Sequence, residues 1–138
     1  MNHALSTAVK FLNEEYRNAV DLEDLARTVG MSYSVFRRLF RSHTGFAPWK
    51  YIQHMRLIHA RHRLATSDDT LTKLADALGF SSSFHLSTAF RKEFGISPIQ
   101  WRKIAIRMPF SQNAMPHIRP DASPVSFGTQ KIASAIKR

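Results

Sequence analysis

Leu22-Glu23-Asp24-Leu25-Ala26-Arg27-Thr28-Val29-Gly30 and Leu71-Thr72-Lys73-Leu74-Ala75-Asp76-Ala77-Leu78-Gly79 are two copies of one pattern. Leu22, Leu25, Ala26, Val29 and Gly30 recur as Leu71, Leu74, Ala75, Leu78 and Gly79 at an offset of 49. Further on, Phe36, Phe40, Arg41, Gly45 and Pro48 recur as Leu86, Phe90, Arg91, Gly95 and Pro98 at an offset of 50. The second copy therefore carries one extra residue, and it falls in the turn between the two stretches. Apolar residues spaced three and four apart predict amphipathic helices, and a glycine closing the first helix predicts a tight turn. Two helices, a short turn and a conserved register, present twice, predict a duplicated helix-turn-helix. Ala26 and Ala75 allow close approach of the partner helix. Leu25, Val29, Met31, Phe36 and Leu39 fill the small core of the first unit. Leu74, Leu78, Phe80, Leu86 and Ala89 do so in the second.

The flanking chain extends the same reading. Leu5, Ala8, Val9, Leu12 and Tyr16 predict a helix over 4–17. Asp21 is the expected N-cap of the helix 22–29, with Glu23 and Asp24 at its positive end and Asp24 making a partial capping box. Ser32 or Ser34 caps the next helix, which runs to about His43 with Phe36, Leu39 and Phe40 inward. Pro48 opens a long helix to about Ala65, roughly 26 Å at 1.5 Å per residue. Ser67 to Thr70 form a loop and cap cluster. Helices follow at 71–78, from about Ser83 to Phe94, and from Pro98 to about Arg107. The expected fold class is all-α. Residues 107–138 hold four of the six prolines and are expected to form a mobile tail, with a short extended piece at 125–127 and a short helix at 131–137.

Composition narrows the function. The chain has 138 residues, 43% of them hydrophobic, with 20 Lys+Arg against 10 Asp+Glu for a formal charge of +10. That excess suits a polyanion. There is no cysteine, which removes disulfides, thiolate metal sites and Cys nucleophiles. No apolar run reaches the ~18 residues of a membrane span, and Met1-Asn2-His3-Ala4-Leu5 does not read as a signal peptide. A cytoplasmic protein is expected, with no membrane partner. No Gly-rich phosphate loop, Ser-His-Asp set or paired-carboxylate constellation argues for an enzyme. The acidic pairs Glu14-Glu15, Glu23-Asp24 and Asp68-Asp69 fall at helix-surface and cap positions. His59 and His62 stand at i, i+3 on the long helix, but no carboxylate or Cys on that helix completes a metal set. Arg56, Arg61 and Arg63 there would repel a cation. This helix reads as a basic surface with His54, His59 and His62 packing at its edges, and no cofactor or metal is expected.

Leu74-Ala75-Asp76-Ala77-Leu78-Gly79-Phe80-Ser81-Ser82 and Phe90-Arg91-Lys92-Glu93-Phe94-Gly95-Ile96-Ser97-Pro98, closed by Trp101-Arg102, are the most informative motifs. At these residues the sequence resembles the AraC/XylS family of transcription regulators, over about residues 4 to 106. The resemblance implies a seven-helix domain over 1–106, two helix-turn-helix lobes joined by the long central helix. It implies a sequence-specific double-stranded DNA-binding regulator, an activator that also meets RNA polymerase. Both recognition helices would enter successive major-groove segments, which lie ~34–36 Å apart. Members usually carry an effector-binding or dimerisation domain before this one. Two readings follow: a single-domain member acting as a monomer, or a DNA-binding fragment of a larger effector-responsive regulator. A helical protein-interaction module is the competing class.

Candidate contacts come from the faces opposite the predicted cores. In the first unit these are Tyr33, Ser34, Arg37, Arg38 and Arg41. Arg37 and Arg38 are placed for bidentate contact with guanine, and Arg41 for phosphate. A merely solvated basic face is the plain alternative. In the second unit they are Ser83, Phe84, His85, Ser87 and Thr88, with no arginine before Arg91. The family often has a long polar side chain where Thr88 stands, so weaker hydrogen-bond readout is expected here. Phe84 suits either a thymine methyl or a partly buried packing role. Ser87, Arg91 and Lys92 are assigned to phosphates, which position without specifying. Helix N-termini near Ser34 and Ser83 offer N–H groups to phosphate, and Lys50 and Lys73 are further phosphate candidates. Trp49 and Trp101 are expected in the lobe cores, and the family pattern implies that Arg102 pins the last helix to its lobe.

Overall fold

The computed structural model describes residues 3–107. The expected tail, with its extended piece and short helix, lies outside the described residues except for Arg107, which ends the last helix. Seven helices follow in order: α1 (His3–Glu15), α2 (Leu22–Thr28), α3 (Tyr33–Thr44), α4 (Pro48–Thr66), α5 (Leu71–Leu78), α6 (Ser83–Phe94) and α7 (Pro98–Arg107). There is no strand among the described residues. The helix count and order match the expectation, and most ends agree to within one or two residues. Within α4 the chain divides into two compact units, described here as residues 3–54 and 55–107.

In the first unit α1 buries Leu5, Ala8, Val9 and Leu12, the helical stripe expected from its spacing. Asp21 caps α2 by accepting the N–H groups of Glu23 and Asp24 at 3.1 Å. The Asp24 carboxylate is taken by Arg27 at 3.1 Å, and not by the cap residue as a box would require. Phe36, Phe40 and Tyr51 are fully buried, with ring centroids 5.5 and 5.4 Å apart along the series. The Tyr51 hydroxyl donates to Asn13 Oδ1 at 2.6 Å, fastening the start of α4 to α1. Burial pushes that phenol well above its usual range, although the Asn13 bond works against the shift.

The second unit repeats the plan. Leu74, Leu86, Phe90 and Trp101 are fully buried. Trp101 donates its indole N–H to Arg61 O at 2.9 Å. Arg102 donates Nε to Leu64 O and Nη2 to Ser67 O, both at 3.0 Å. Those two carbonyls stand at the end of α4, where a helix leaves acceptors unsatisfied. Arg102 therefore does pin α7, by completing the end of the preceding long helix. Ser97 and Gln100 form a reciprocal capping box at the start of α7, at 3.0 and 3.1 Å.

Two expectations are corrected. Trp49 is 48% exposed whereas Trp101 is fully buried. The repeat offset explains this, because Trp101 corresponds to buried Tyr51 while Trp49 corresponds to Ile99, itself 44% exposed. The long helix is also not a basic surface. Arg56 is only 6% exposed and His54 is buried, with its ring stacked on Phe46 at 5.0 Å. Arg61 lies over the Phe94 ring at 4.9 Å, and burial lowers the pKa of both guanidinium groups.

Arg63 donates to Asp69 at 2.6 Å, and Lys73 stands 3.4 Å from the other Asp69 oxygen. Arg63 first, and Lys73 after it, hold the Asp69 carboxyl below its ordinary value of 3.8. A carboxylate with a depressed folded pKa stabilises the fold above about pH 4 and loses that contribution as pH falls through the depressed value. Asp69→Asn should therefore lower the melting temperature at neutral pH and make the loss of stability below about pH 4 shallower than in the parent. Thermal melts over a pH series check this, and an acid limb of unchanged steepness would count against it.

Candidate nucleic-acid interface

Each unit positions its second helix by the same local devices. Gly30 has φ +83°, and a Cβ there would meet nothing within 4 Å. Backbone conformation, not space, is what asks for glycine at this turn. Ser32 then caps α3 by accepting the Val35 N–H at 3.3 Å, and Ser82 caps α6 by accepting the His85 N–H at 3.0 Å. Ser32 is thus the cap and Ser34 is free to face outward.

The extra residue of the second turn can be named. Met31 N–H bonds to Ala26 O and Phe80 N–H bonds to Ala75 O, both at 2.9 Å, so Met31 and Phe80 correspond. One residue separates Gly30 from its cap serine, but two separate Gly79 from Ser82. Ser81 is the insertion. Its hydroxyl and N–H lie 3.1 and 3.4 Å from His85 Nδ1, and the His85 ring stands edge-on to Phe80 at 5.4 Å. The first unit has Val35 in place of His85. His85, expected at the bases, has its Nδ1 engaged in holding the longer turn, and a base contact would fall to Nε2.

Beyond the caps, both helices present an exposed line at i, i+3, i+4, i+7 and i+8. In α3 it is Ser34, Arg37, Arg38, Arg41 and Ser42, all exposed. In α6 it is Phe84, Ser87, Thr88, Arg91 and Lys92, exposed except for the half-buried Ser87, which together line one shallow depression. Ser42 was missed by sequence reasoning, although the offset of 50 from Lys92 points to it. Phe84 is 78% exposed, which removes the packing role considered for it. Tyr33 and Ser83 open their helices half-buried and lie off these lines.

The basic groups differ in freedom. Arg37, Arg38, Arg41, Lys50, Arg91 and Lys92 are all exposed and make no ion pair among the described residues. Lys73 is paired with Asp69, so a phosphate there would compete with that carboxylate. Its counterpart in the first unit is Asp24, already paired with Arg27.

A chain built from two helix-turn-helix units, each displaying the outer face of its second helix, is a tandem helix-turn-helix domain. A family model described as a helix-turn-helix domain matches residues 25–104, and the chain belongs to the AraC/XylS family of transcription regulators. The transcriptional activator RhaS of Escherichia fergusonii is 38% identical over 99 residues, which cover 72% of this chain and 36% of that protein. RhaS of Pectobacterium carotovorum subsp. carotovorum is 40% identical over 88 residues, covering 64% and 32%. The chain spans about a third of the length of these curated relatives. Among solved structures, the DNA-binding domain of the global transcriptional factor AdpA, in complex with a target DNA, matches with TM-score 0.69 and 34% identity, over 74% of this chain and 92% of that one. An AraC-type regulator from Chromobacterium violaceum matches with TM-score 0.68 and 31% identity, over 82% and 94%. No helix among the described residues is long and apolar enough to cross a membrane.

Removing either cap serine tests whether the outward helices depend on it. Ser32→Ala and Ser82→Ala should each cost about 1 kcal/mol of stability. Urea titration measures this, and two unchanged midpoints would show that the caps are dispensable.

Proposed function

We propose that the chain binds double-stranded DNA sequence-specifically and regulates transcription as an activator, with α3 and α6 reading successive major-groove segments. The observation that carries this reading is the repeated outward line on the second helix of each unit, carrying an unpaired arginine at the same register, Arg41 and Arg91. The similarity to a domain solved with its target DNA supports it. An enzyme is disfavoured by family membership and by the lack of any catalytic constellation in the sequence.

Base contacts fall to Tyr33, Ser34, Arg37 and Arg38 in the first unit, and to Ser83, Phe84, His85 and Thr88 in the second. Recognition helices meet base edges through their N-terminal residues, which is where these side chains stand. Phosphate contacts fall to Arg41, Lys50, Ser87, Arg91 and Lys92, and to Lys73 once it leaves Asp69. RNA polymerase is the second partner, in keeping with the activator relatives, and the cytoplasm is the compartment where both partners are met.

A gel-shift titration against random and selected duplexes tests the reading. The log–log salt slope should correspond to roughly 6–10 phosphate contacts. Arg38→Ala should lose discrimination at one base position, worth ~1–3 kcal/mol. Lys92→Ala should weaken all duplexes alike and reduce the salt slope by about 1. Equal losses on every sequence for both variants would abolish the division between reading and positioning. Binding with no preference for the selected duplex would remove the DNA-reading function itself.

A further inference from the structure

The two outward lines share a register but not a chemistry. At the offset of 50, Ser34 corresponds to Phe84, Arg37 to Ser87 and Arg38 to Thr88, whereas Arg41 corresponds to Arg91. The distal end keeps its positive charge in both units. The proximal end, which meets base edges in a recognition helix, is cationic on α3 and apolar or small on α6.

Phe84 is the second residue of α6 and 78% exposed. The core of its unit does not use it, because Leu86 and Phe90 on the other face of the helix are fully buried. Phe84, Ser87 and Thr88 line one shallow depression that continues into Arg91 and Lys92. A phenyl ring beside a threonine side chain offers apolar surface and little directed hydrogen bonding, and the cations beyond it suit the phosphates flanking whatever base enters. In the major groove the apolar feature of a base pair is the C5-methyl group of thymine, while guanine presents the O6 and N7 acceptors that arginine takes.

The geometry points to an operator of two chemically unlike halves: guanines read by Arg37 and Arg38 on α3, and thymine methyl groups read by Phe84 with Thr88 on α6. This rests on the DNA-binding reading above and deepens it. The half under α6 is recognised chiefly by methyl burial, with Ser83 and His85 Nε2 its remaining hydrogen-bonding contacts, so it tolerates exchange of hydrogen-bonding groups better than the half under α3 does.

Base analogues test this on the selected duplex. Replacing single thymines by deoxyuridine removes the methyl group and keeps the hydrogen bonds. One or two positions in the α6 half should lose about four-fold in affinity each, the factor for withdrawing one buried methyl group. Replacing guanine by 7-deazaguanine should cost affinity in the α3 half and not in the other. Phe84→Ala should weaken binding to the thymine duplex about tenfold and be indifferent to deoxyuridine at the sensitive position, with far-UV circular dichroism unchanged because the side chain is exposed. Phe84→Leu should restore part of both the affinity and the methyl dependence. At the sensitive position, 5-methylcytosine should outperform cytosine on the parent protein and not on Phe84→Ala. Tight binding of the selected duplex with no deoxyuridine effect at any position overturns the inference and leaves the DNA-binding reading standing. So does a deoxyuridine effect that persists in Phe84→Ala. Failure to prefer any duplex over a random one removes both.

Discussion

Each unit depends on one close approach, and a single alanine serves it twice over. Ala26 and Ala75 are fully buried, so a larger side chain at either would have to displace its neighbours at a cost of about 1–3 kcal/mol. Their carbonyls also receive the N–H of the residue after the turn glycine, Met31 or Phe80, at 2.9 Å. That closure spans six residues and fixes the path of the chain as it leaves the helix. Side-chain size sets how near the helices come, and the carbonyl bond sets where the next one starts. The direction of α3 or α6, and so of every outward side chain on it, follows from that pair of constraints.

This economy is why the fold was largely legible from residues alone. Helical spacing, a glycine stop and a serine or aspartate start recur at nearly fixed offsets, and local signals that agree with one another specify elements reliably. The failures have physical causes. Trp49 and Tyr51 are both aromatic residues in the first turn of α4, and apolarity alone does not say which one turns inward. The repeat does say, since Tyr51 shares its register with Trp101. The arginines of α4 were misread because its buried positions, among them Tyr51, Ile52, His54, Arg56, Leu57, Ala60 and Leu64, do not fall on a single stripe. A helix covered on more than one face offers no polar side to infer. His85 was read as outward because the turn insertion was located but its occupant was not. Once Ser81 is recognised as the extra residue, a ring nitrogen four residues on is its natural partner. The outward lines were legible except for Ser42, which is small and uncharged and so draws no attention on a basic helix.

A duplicated scaffold with unlike faces separates two selective pressures. Positions such as Phe36 and Leu86 are fixed by packing, because a change there leaves a cavity or a clash. Positions such as Ser34 and Phe84 touch no core and can change with little effect on stability. The exposed phenylalanine is informative for this reason. Single exposed apolar residues are ordinary; Phe84 differs from others, such as Ile106, in standing on the repeated outward line.

Charge placement obeys the same logic. Acidic residues in the described chain sit away from both outward lines: at the end of α1, at the start of α2, in the loop that joins α4 to α5, and at Asp76 within α5. The twelve residues of α3 contain none, and α6 contains only Glu93, which is half-buried and acts on Arg61 within the same unit. A carboxylate on either line would repel phosphate at the distance where counterion release supplies most of the sequence-independent attraction. Instead, Asp69 and Asp24 pair with neighbouring cations, Asp21 accepts helix N–H groups, and Glu93 acts electrostatically on the half-buried Arg61. Among the described residues, Arg37, Arg38 and Arg41 on α3 and Arg91 and Lys92 on the distal end of α6 stand exposed with no carboxylate partner, so both outward lines keep their positive charge.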